Sequence, residues 1–450
     1  MTSLIIHPVS RALSGSVPVP SDKSISHRAL IFAALSSGPC TLQGFSYGED
    51  NVATLEAFRA MGVAAEDEGD GTVRVHGVGL NGLKAPSCEL DCGNSGTTMR
   101  LLCGILAAQP FQSRLVGDAS LSRRPMGRVV EPLRARGARI KGNPHPAHAG
   151  DLTAPLVVGP LPLGVRLGEQ DYRLPIASAQ VKTALLLAGL FASGPTLIEE
   201  PMLSRDHTER MLAALGMPLE AVGAAVRLHP PRDPNAIRPF EISLPGDLSA
   251  AAFLLVAGSL VPGSRVTVRN TGLNPTRAGI LDILRLCGGS LEVLPRSSVL
   301  NEPVGDVTVS YSKLAGGSVA GELSVRAIDE IPIAAALAAR ARGTTQFRDV
   351  GELRVKESDR VATVVGMLRG FGLDVQEGAD GFSVVGRPDA ALRATRVDSA
   401  GDHRIAMTAA VLGLMADGPT VVENAACVAT SFPRFVGTLN ALGAEIEVKG

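Results

Sequence analysis

Eight basic residues, Lys23, Arg28, Arg100, Arg124, Arg205, Lys356, Arg360 and Arg404, stand in or beside short polar clusters along this 450-residue chain. Their neighbours are Ser, Asn, Gly and Thr, which expose backbone N–H groups or donate hydroxyls, and cations set among such donors suit the binding of oxyanions. Singly, each cation reads as a solvated surface charge, since Lys and Arg are mostly exposed. As a set they point to one or two substrates carrying several negative charges. Carboxylates occupy the same stretches: Asp329 and Glu330 in one, Glu357 and Asp359 interleaved with Lys356 and Arg360 in another. A carboxylate among cations forms an ion pair. Beside a bound phosphate it can also take a proton from a hydroxyl nucleophile and return one to a carbon or a leaving group.

The elements that must position these groups repeat. Six times a Leu or Phe stands four residues before a glycine: Phe58 and Gly62, Leu133 and Gly137, Leu212 and Gly216, Leu284 and Gly288, Leu368 and Gly372, Leu439 and Gly443. Successive glycines lie 71 to 84 residues apart, too regular for chance and too long for a small solenoid repeat. Counting back 38 to 43 residues from each glycine reaches a polar cluster that opens a nearly all-apolar run. The clusters are Lys23-Ser24, Asn94-Ser95-Gly96, Ser178-Ala179-Gln180, Gly246-Asp247, Asp329-Glu330 and Asp402-His403-Arg404. Helix N-termini offer unpaired N–H groups and partial positive charge, so repeated starts of this kind suit anions.

Each module predicts the order strand, helix, strand, helix, strand, strand. In the fifth, an apolar helix over 331–341 tolerates Pro332 in its first turn. Strand Thr344–Phe347 follows, then an amphipathic helix over 352–371 closed by Gly372, then a hairpin of 373–376 and Gly381–Val385. First helices that are apolar around the whole circumference, such as 250–261 and 405–415, belong inside a domain, and the amphipathic second helices belong on its outside. A chain of 450 residues is too long for one core and suits two domains of three modules each. The break is expected near 229–239, where Pro230, Pro231, Pro234 and Pro239 interrupt every periodic pattern.

A net charge of −1 with 45% hydrophobic residues exerts no bulk pull on nucleic acid or anionic membrane, and the lack of Trp leaves little for base stacking. Cys40, Cys88, Cys92, Cys103, Cys287 and Cys427 form no C-x-x-C pair, which suits reduced thiols in a cytoplasmic protein. No signal-like N-terminus and no apolar run of membrane length appears. Gly77-Val-Gly-Leu-Asn-Gly82 matches a dinucleotide-binding pattern, but Pro86 follows where that site needs a helix. His145 and His148 lie in a Pro-rich loop without carboxylates or thiols at ligand spacing, a surface loop and not a metal site.

Five motifs in order, Lys23-Ser-Ile-Ser-His-Arg28, Gly93-Asn-Ser-Gly-Thr97, Arg124-Pro-Met126, Arg354-Val-Lys-Glu-Ser-Asp-Arg360 and Asp402-His-Arg-Ile-Ala-Met407, closely resemble the 5-enolpyruvylshikimate-3-phosphate synthase family. Ser178-Ala-Gln-Val-Lys182, Arg205-Asp-His-Thr-Glu209 and Asn274-Pro-Thr-Arg277 look like its class II branch, with Ser21-Asp22-Lys23 where that branch has Gly-Asp-Lys. The resemblance implies an inside-out α/β fold of two domains, 21–240 and 1–20 with 241–450, joined by two crossovers and closing on the substrates. It implies enolpyruvyl transfer from phosphoenolpyruvate to the 5-hydroxyl of shikimate 3-phosphate, by addition and then elimination of phosphate. No cofactor or metal is expected, and no partner beyond the two substrates, in a monomer.

Carried over by the resemblance, Lys23, Ser24, Arg28, Ser178, Ala179, Gln180, Arg205, Asp329 and Lys356 hold shikimate 3-phosphate. Lys23, Gly96, Arg124, Gln180, Arg360 and Arg404 hold phosphoenolpyruvate. Asp329 is the base on the 5-hydroxyl, and Glu357 with Lys23 handles protons at the enol carbon. Thr430 stands where another branch has a lysine on phosphoenolpyruvate, so that contact is absent or replaced. The related enolpyruvyl transferase acting on UDP-N-acetylglucosamine shares the six-module design but presents a reactive cysteine, and residues 114–128 contain none. A non-catalytic phosphometabolite-binding protein of repeated modules is the other alternative, and it leaves Asp329 and Glu357 without a task.

Overall fold

The computed structural model describes residues 2–450, organised around six four-stranded sheets. The fifth repeat displays the plan. Ser318–Val319 runs parallel to Thr344–Phe347, which pairs antiparallel with Gly381–Val385, itself paired with Asp374–Gly378. Helix Ile331–Arg340 joins the parallel strands and helix Arg360–Gly370 leads into the hairpin, giving the order βαβαββ of an α/β fold. The second and third sheets are built the same way from consecutive strands.

Three sheets are completed by strands from elsewhere in the chain. Ser3–Ile6 lies between Thr420–Glu423 and Ile446–Lys449 in the sixth. Ser14–Val17 pairs parallel with Arg265–Gly272 in the fourth, and Glu241–Ser243 pairs parallel with Pro39–Gln43 in the first. The strand that precedes helix Lys23–Ala34 in sequence thus serves the fourth repeat, and the strand that precedes helix Leu248–Leu260 serves the first.

The chain divides into an N-terminal unit, Lys23–Leu244 with Ser298–Glu302, and a C-terminal unit of residues 2–22, Pro245–Ser297 and Pro303–Gly450. Each has its own apolar core. The first helix of each repeat fills it: all thirteen residues of Leu248–Leu260 are buried, and in Lys23–Ala34 only Lys23 and Ser24 are not. Complete burial of one Leu, Ile or Phe side chain contributes about 1.5–3 kcal/mol, so these helices are held by packing more than by propensity. The second helices end alike. Gly62, Gly137, Gly216, Gly288, Gly372 and Gly443 all take positive φ, from 77° to 117°, the left-handed geometry that closes a helix without a Cβ penalty.

The helix expected over 352–371 is two pieces. A 3₁₀ turn, Gly351–Val355, ends at extended Lys356, and the α-helix starts at Arg360 with the Asp359 carboxylate accepting the Ala362 N–H at 3.0 Å. An apolar period continues through both pieces, at Leu353, Val361, Val364, Val365 and Leu368, and hides the break. No helix follows Gly82 before Gly96. Among the described residues, no helix is long and apolar enough to cross a membrane.

Candidate active site

In the N-terminal unit the first three inner helices start from polar residues that bond one another. Lys23, first in its helix, places its ammonium 2.5 Å from Asp50, in the opening turn of helix Glu49–Ala60. The Asp50 carbonyl accepts from the Thr98 hydroxyl at 3.2 Å, which ties this corner to helix Gly96–Leu106. Arg100 on that helix donates to Gln180 Oε1 at 2.6 Å, and Gln180 Nε2 donates to Thr97 at 2.9 Å. Arg124 donates to Asn94 Oδ1 at 2.6 Å and more weakly to Ser120 at 3.4 Å. Gly96 sits between these cations: a Cβ there would stand 2.8 Å from Arg100 Nη1 and 3.3 Å from Arg124 Nη1. Lys23, Gly96, Arg124 and Gln180 are therefore brought together.

Arg28 is more enclosed, 3% exposed. It donates to the Ser24 carbonyl at 2.9 Å and to the Thr183 and Thr208 hydroxyls, each at 2.7 Å. Ser178 caps helix Ala179–Gly189, and its own N–H donates to buried Glu200 at 3.0 Å. Glu200 also accepts from the N–H and hydroxyl of Ser204, the residue before Arg205, so one carboxylate ties the Ser178 and Arg205 segments. Lys182 neutralises it at 2.6 Å and meets Glu209 at 2.7 Å. Sequence reasoning missed Asp50 and Glu200 as partners. Asp50 carries a faint signal, an acidic pair after Gly48 at a helix start; Glu200 carries none.

In the C-terminal unit the carboxylates gather around one guanidinium. Arg360, 1% exposed, lies 2.7 Å from Asp402, 2.5 Å from Glu357 and 3.5 Å from Asp329. Burial alone would lower its pKa, but Glu357 and Asp402 raise it above the ordinary arginine range. Burial likewise favours the neutral form of Asp402, and Arg360 reverses this, leaving its carboxyl below the usual range. Lys356 Nζ lies 4.0 Å from Asp329, with 29% of its side chain exposed. Desolvation holds its pKa below the lysine norm, and Asp329 offsets this only in part. Arg404 donates to the Asp329 carbonyl at 2.7 Å and to the Ser249 hydroxyl at 3.3 Å. Asp329, Lys356, Glu357, Arg360 and Arg404 thus form one cluster. Thr430 donates to the Cys427 carbonyl at 2.7 Å, at the end of a 3₁₀ turn.

The helix starts are less open to anions than their sequence suggests. Ser95, Ser178, Asp247 and Asp402 each accept a backbone N–H of their own helix's first turn. Caps of this kind use one of the orphan donors, so anion binding falls mainly to the side-chain cations. Those cations can hold phosphate and carboxylate groups, while the ionisable carboxylates can move protons.

The family profile described as EPSP synthase (3-phosphoshikimate 1-carboxyvinyltransferase) matches residues 8–439. The 3-phosphoshikimate 1-carboxyvinyltransferase of Geobacter sulfurreducens is 48% identical over 440 residues, 98% of this chain and 99% of its own length. That of Acidithiobacillus ferrooxidans is 47% identical over 449 residues, 100% and 99% of the two chains. Among solved structures, EPSP synthase of Acinetobacter baumannii aligns with a TM-score of 0.88 and 40% identity across 100% of both chains. Six βαβαββ repeats, clustered cations and carboxylates, and likeness along the whole length lead to one conclusion: the chain belongs to the EPSP synthase family.

Proposed function

We propose that Lys23, Ser24, Arg28, Ser178, Ala179, Gln180 and Arg205, with Asp329 and Lys356, hold shikimate 3-phosphate, and that Lys23, Gly96, Arg124, Gln180, Arg360 and Arg404 hold phosphoenolpyruvate. As a member of its family the chain is a 3-phosphoshikimate 1-carboxyvinyltransferase of the shikimate pathway, transferring an enolpyruvyl group and releasing phosphate. In this reading Asp329 takes the proton of the 5-hydroxyl as its oxygen adds to C2 of phosphoenolpyruvate. Glu357, with Lys23, gives a proton to C3. The tetrahedral adduct then expels phosphate as the same groups take a proton back from C3, restoring the double bond. Proton transfer by positioned carboxylates contributes about 10² to 10⁴ in rate.

The observation that carries this assignment is Asp329, 3.5 Å from Arg360 and 4.0 Å from Lys356. A base there would meet its hydroxyl beside Lys356, assigned to the same substrate, and Arg360, assigned to phosphoenolpyruvate. Phosphate release from phosphoenolpyruvate, measured with shikimate 3-phosphate and then with UDP-N-acetylglucosamine, tests the reading, and turnover is expected only with the first. Residues of both units are assigned to one substrate, so shikimate 3-phosphate should lower the radius of gyration in small-angle scattering. An unchanged value would remove the support for closure. We further propose a cytoplasmic monomer, for which light scattering should give the mass of one chain.

A further inference from the structure

We infer that Arg277 is a positioning residue for the transfer reaction: by pairing with the buried carboxylate of Glu330, it keeps the Arg404 guanidinium available for phosphoenolpyruvate. Arg277 is 4% exposed and Glu330 is 0% exposed. Arg277 Nη1 donates to Glu330 Oε1 at 2.7 Å. The Ser249 hydroxyl donates to the same oxygen and accepts from Arg277 Nη2. Arg404 Nη1 lies 3.6 Å from that oxygen, yet its hydrogen bonds go to neutral acceptors, the Asp329 carbonyl and the Ser249 hydroxyl. Two guanidinia thus face one carboxylate, and the closer, fully enclosed one takes it.

The second oxygen of Glu330 has no hydrogen-bond partner among the described residues, so this carboxylate has spare capacity for a cation. A buried carboxylate stripped of its counterion is strongly destabilised. Without Arg277, the remaining guanidinium within ion-pair distance of Glu330 among the described residues is that of Arg404. Arg404 would be drawn off the Asp329 carbonyl and its charge spent on the protein. Arg277 also shares Nη2 with Asp247 at 3.4 Å. Burial opposes its charge, but Glu330, Asp247, Asp22 and Asp329 outweigh burial and keep it protonated.

This inference rests on the assignment of Arg404 to phosphoenolpyruvate, so Arg404→Gln is measured beside the other variants. Michaelis constants for both substrates are compared in the native protein, Arg277→Gln, Glu330→Gln and the double variant. Arg277→Gln is expected to raise the constant for phosphoenolpyruvate by about tenfold or more, the loss of roughly one charge-assisted contact. The constant for shikimate 3-phosphate should stay within about threefold, and Glu330→Gln and the double variant should lie within about threefold of native for both substrates. A residue needed only for packing would not be rescued by neutralising its partner. A rise that persists in the double variant, or none in Arg277→Gln while Arg404→Gln shows one, overturns the inference. No effect of Arg404→Gln means instead that the underlying assignment has failed. Should Arg277→Gln not fold, Arg277→Lys replaces it, keeping the charge but losing the two-pronged hold on Glu330 and Ser249. A smaller rise that Glu330→Gln removes supports the inference; a persistent rise, or none, overturns it.

Discussion

Arg124 in the N-terminal unit and Arg360 in the C-terminal unit are held by opposite kinds of partner. Arg124 is placed by an amide and a hydroxyl, Asn94 and Ser120, and neighbouring Arg100 bonds the Gln180 amide and the Pro125 carbonyl. Neutral acceptors fix a guanidinium without cancelling its charge. Arg360 is ringed by Asp402, Glu357 and Asp329, which cancel its charge while it keeps three carboxylates close together. The first arrangement suits holding an anion, and the second suits moving protons. Loss of a carboxylate from the C-terminal cluster should therefore cost turnover, and loss of Arg124 from the N-terminal one should cost binding.

Asp329 is where this difference between the units should show most. Asp329→Asn should lower kcat by about 10² to 10⁴, with a smaller rise in the Michaelis constant for shikimate 3-phosphate and little change in that for phosphoenolpyruvate; a variant that keeps its turnover would deprive the C-terminal cluster of its base. Next, Lys23→Ala and Arg124→Ala should each reduce kcat/KM at least about tenfold without loss of fold, since a charge-assisted bond contributes about 1.5–3 kcal/mol. Near-normal kinetics in either variant would reject that residue's assignment.

Gly96→Ala sharpens the same contrast. The new methyl meets the ends of two flexible cations, Arg100 at 2.8 Å and Arg124 at 3.3 Å, so it should shift them outward and narrow the space beside them. Glyphosate, which in this family competes with phosphoenolpyruvate, should lose more affinity than the substrate does, a discrimination created by a clash. Equal fold-changes in the inhibition constant and the Michaelis constant would mean general damage.

In one respect the two units should behave alike. Burial, the largest cause, pushes His27 in the N-terminal unit down to about 3 and His403 in the C-terminal unit down to about 4. The unfolded chain takes up these protons near pH 6.5, the folded protein only well below it. Stability is thus fully present above pH 6.5 and falls as pH drops toward 3 to 4, by up to about 1.4 kcal/mol per pH unit for each histidine. Urea midpoints across that range should show the slope, and His27→Gln should flatten it; an unaltered slope would place the acid sensitivity elsewhere.

Much of this was legible in the chain. The six glycines marked helix ends because left-handed geometry selects glycine, a local constraint written in local sequence. The inner helices were legible because burial on all sides leaves no polar face. The exchanged strands Ser14–Val17 and Glu241–Ser243 were not, since parallel pairing across two hundred residues or more leaves no local trace. The break at Lys356 was hidden because apolar spacing continued through it, although Asp359 before Arg360 was a cap signal in plain view. At the site, the cations and carboxylates could be named from type and neighbourhood. Their pairings could not: that Arg277 rather than Arg404 takes Glu330 depends on a difference between 2.7 and 3.6 Å.

The strand exchange also sets an order of events at the ribosome. At about 5–20 residues per second, Arg265–Gly272 emerges roughly ten to fifty seconds after Ser14–Val17, and Thr420–Glu423, the partner of Ser3–Ile6, later still. Over that interval Leu4, Ile6 and Leu13, all buried in the finished protein, have no sheet or core to join. The first sheet, by contrast, is complete once Glu241–Ser243 has emerged. The nascent chain therefore carries a nearly finished N-terminal unit behind an adhesive leader, and a chain released near Leu244 would keep that leader exposed and open to capture by chaperones.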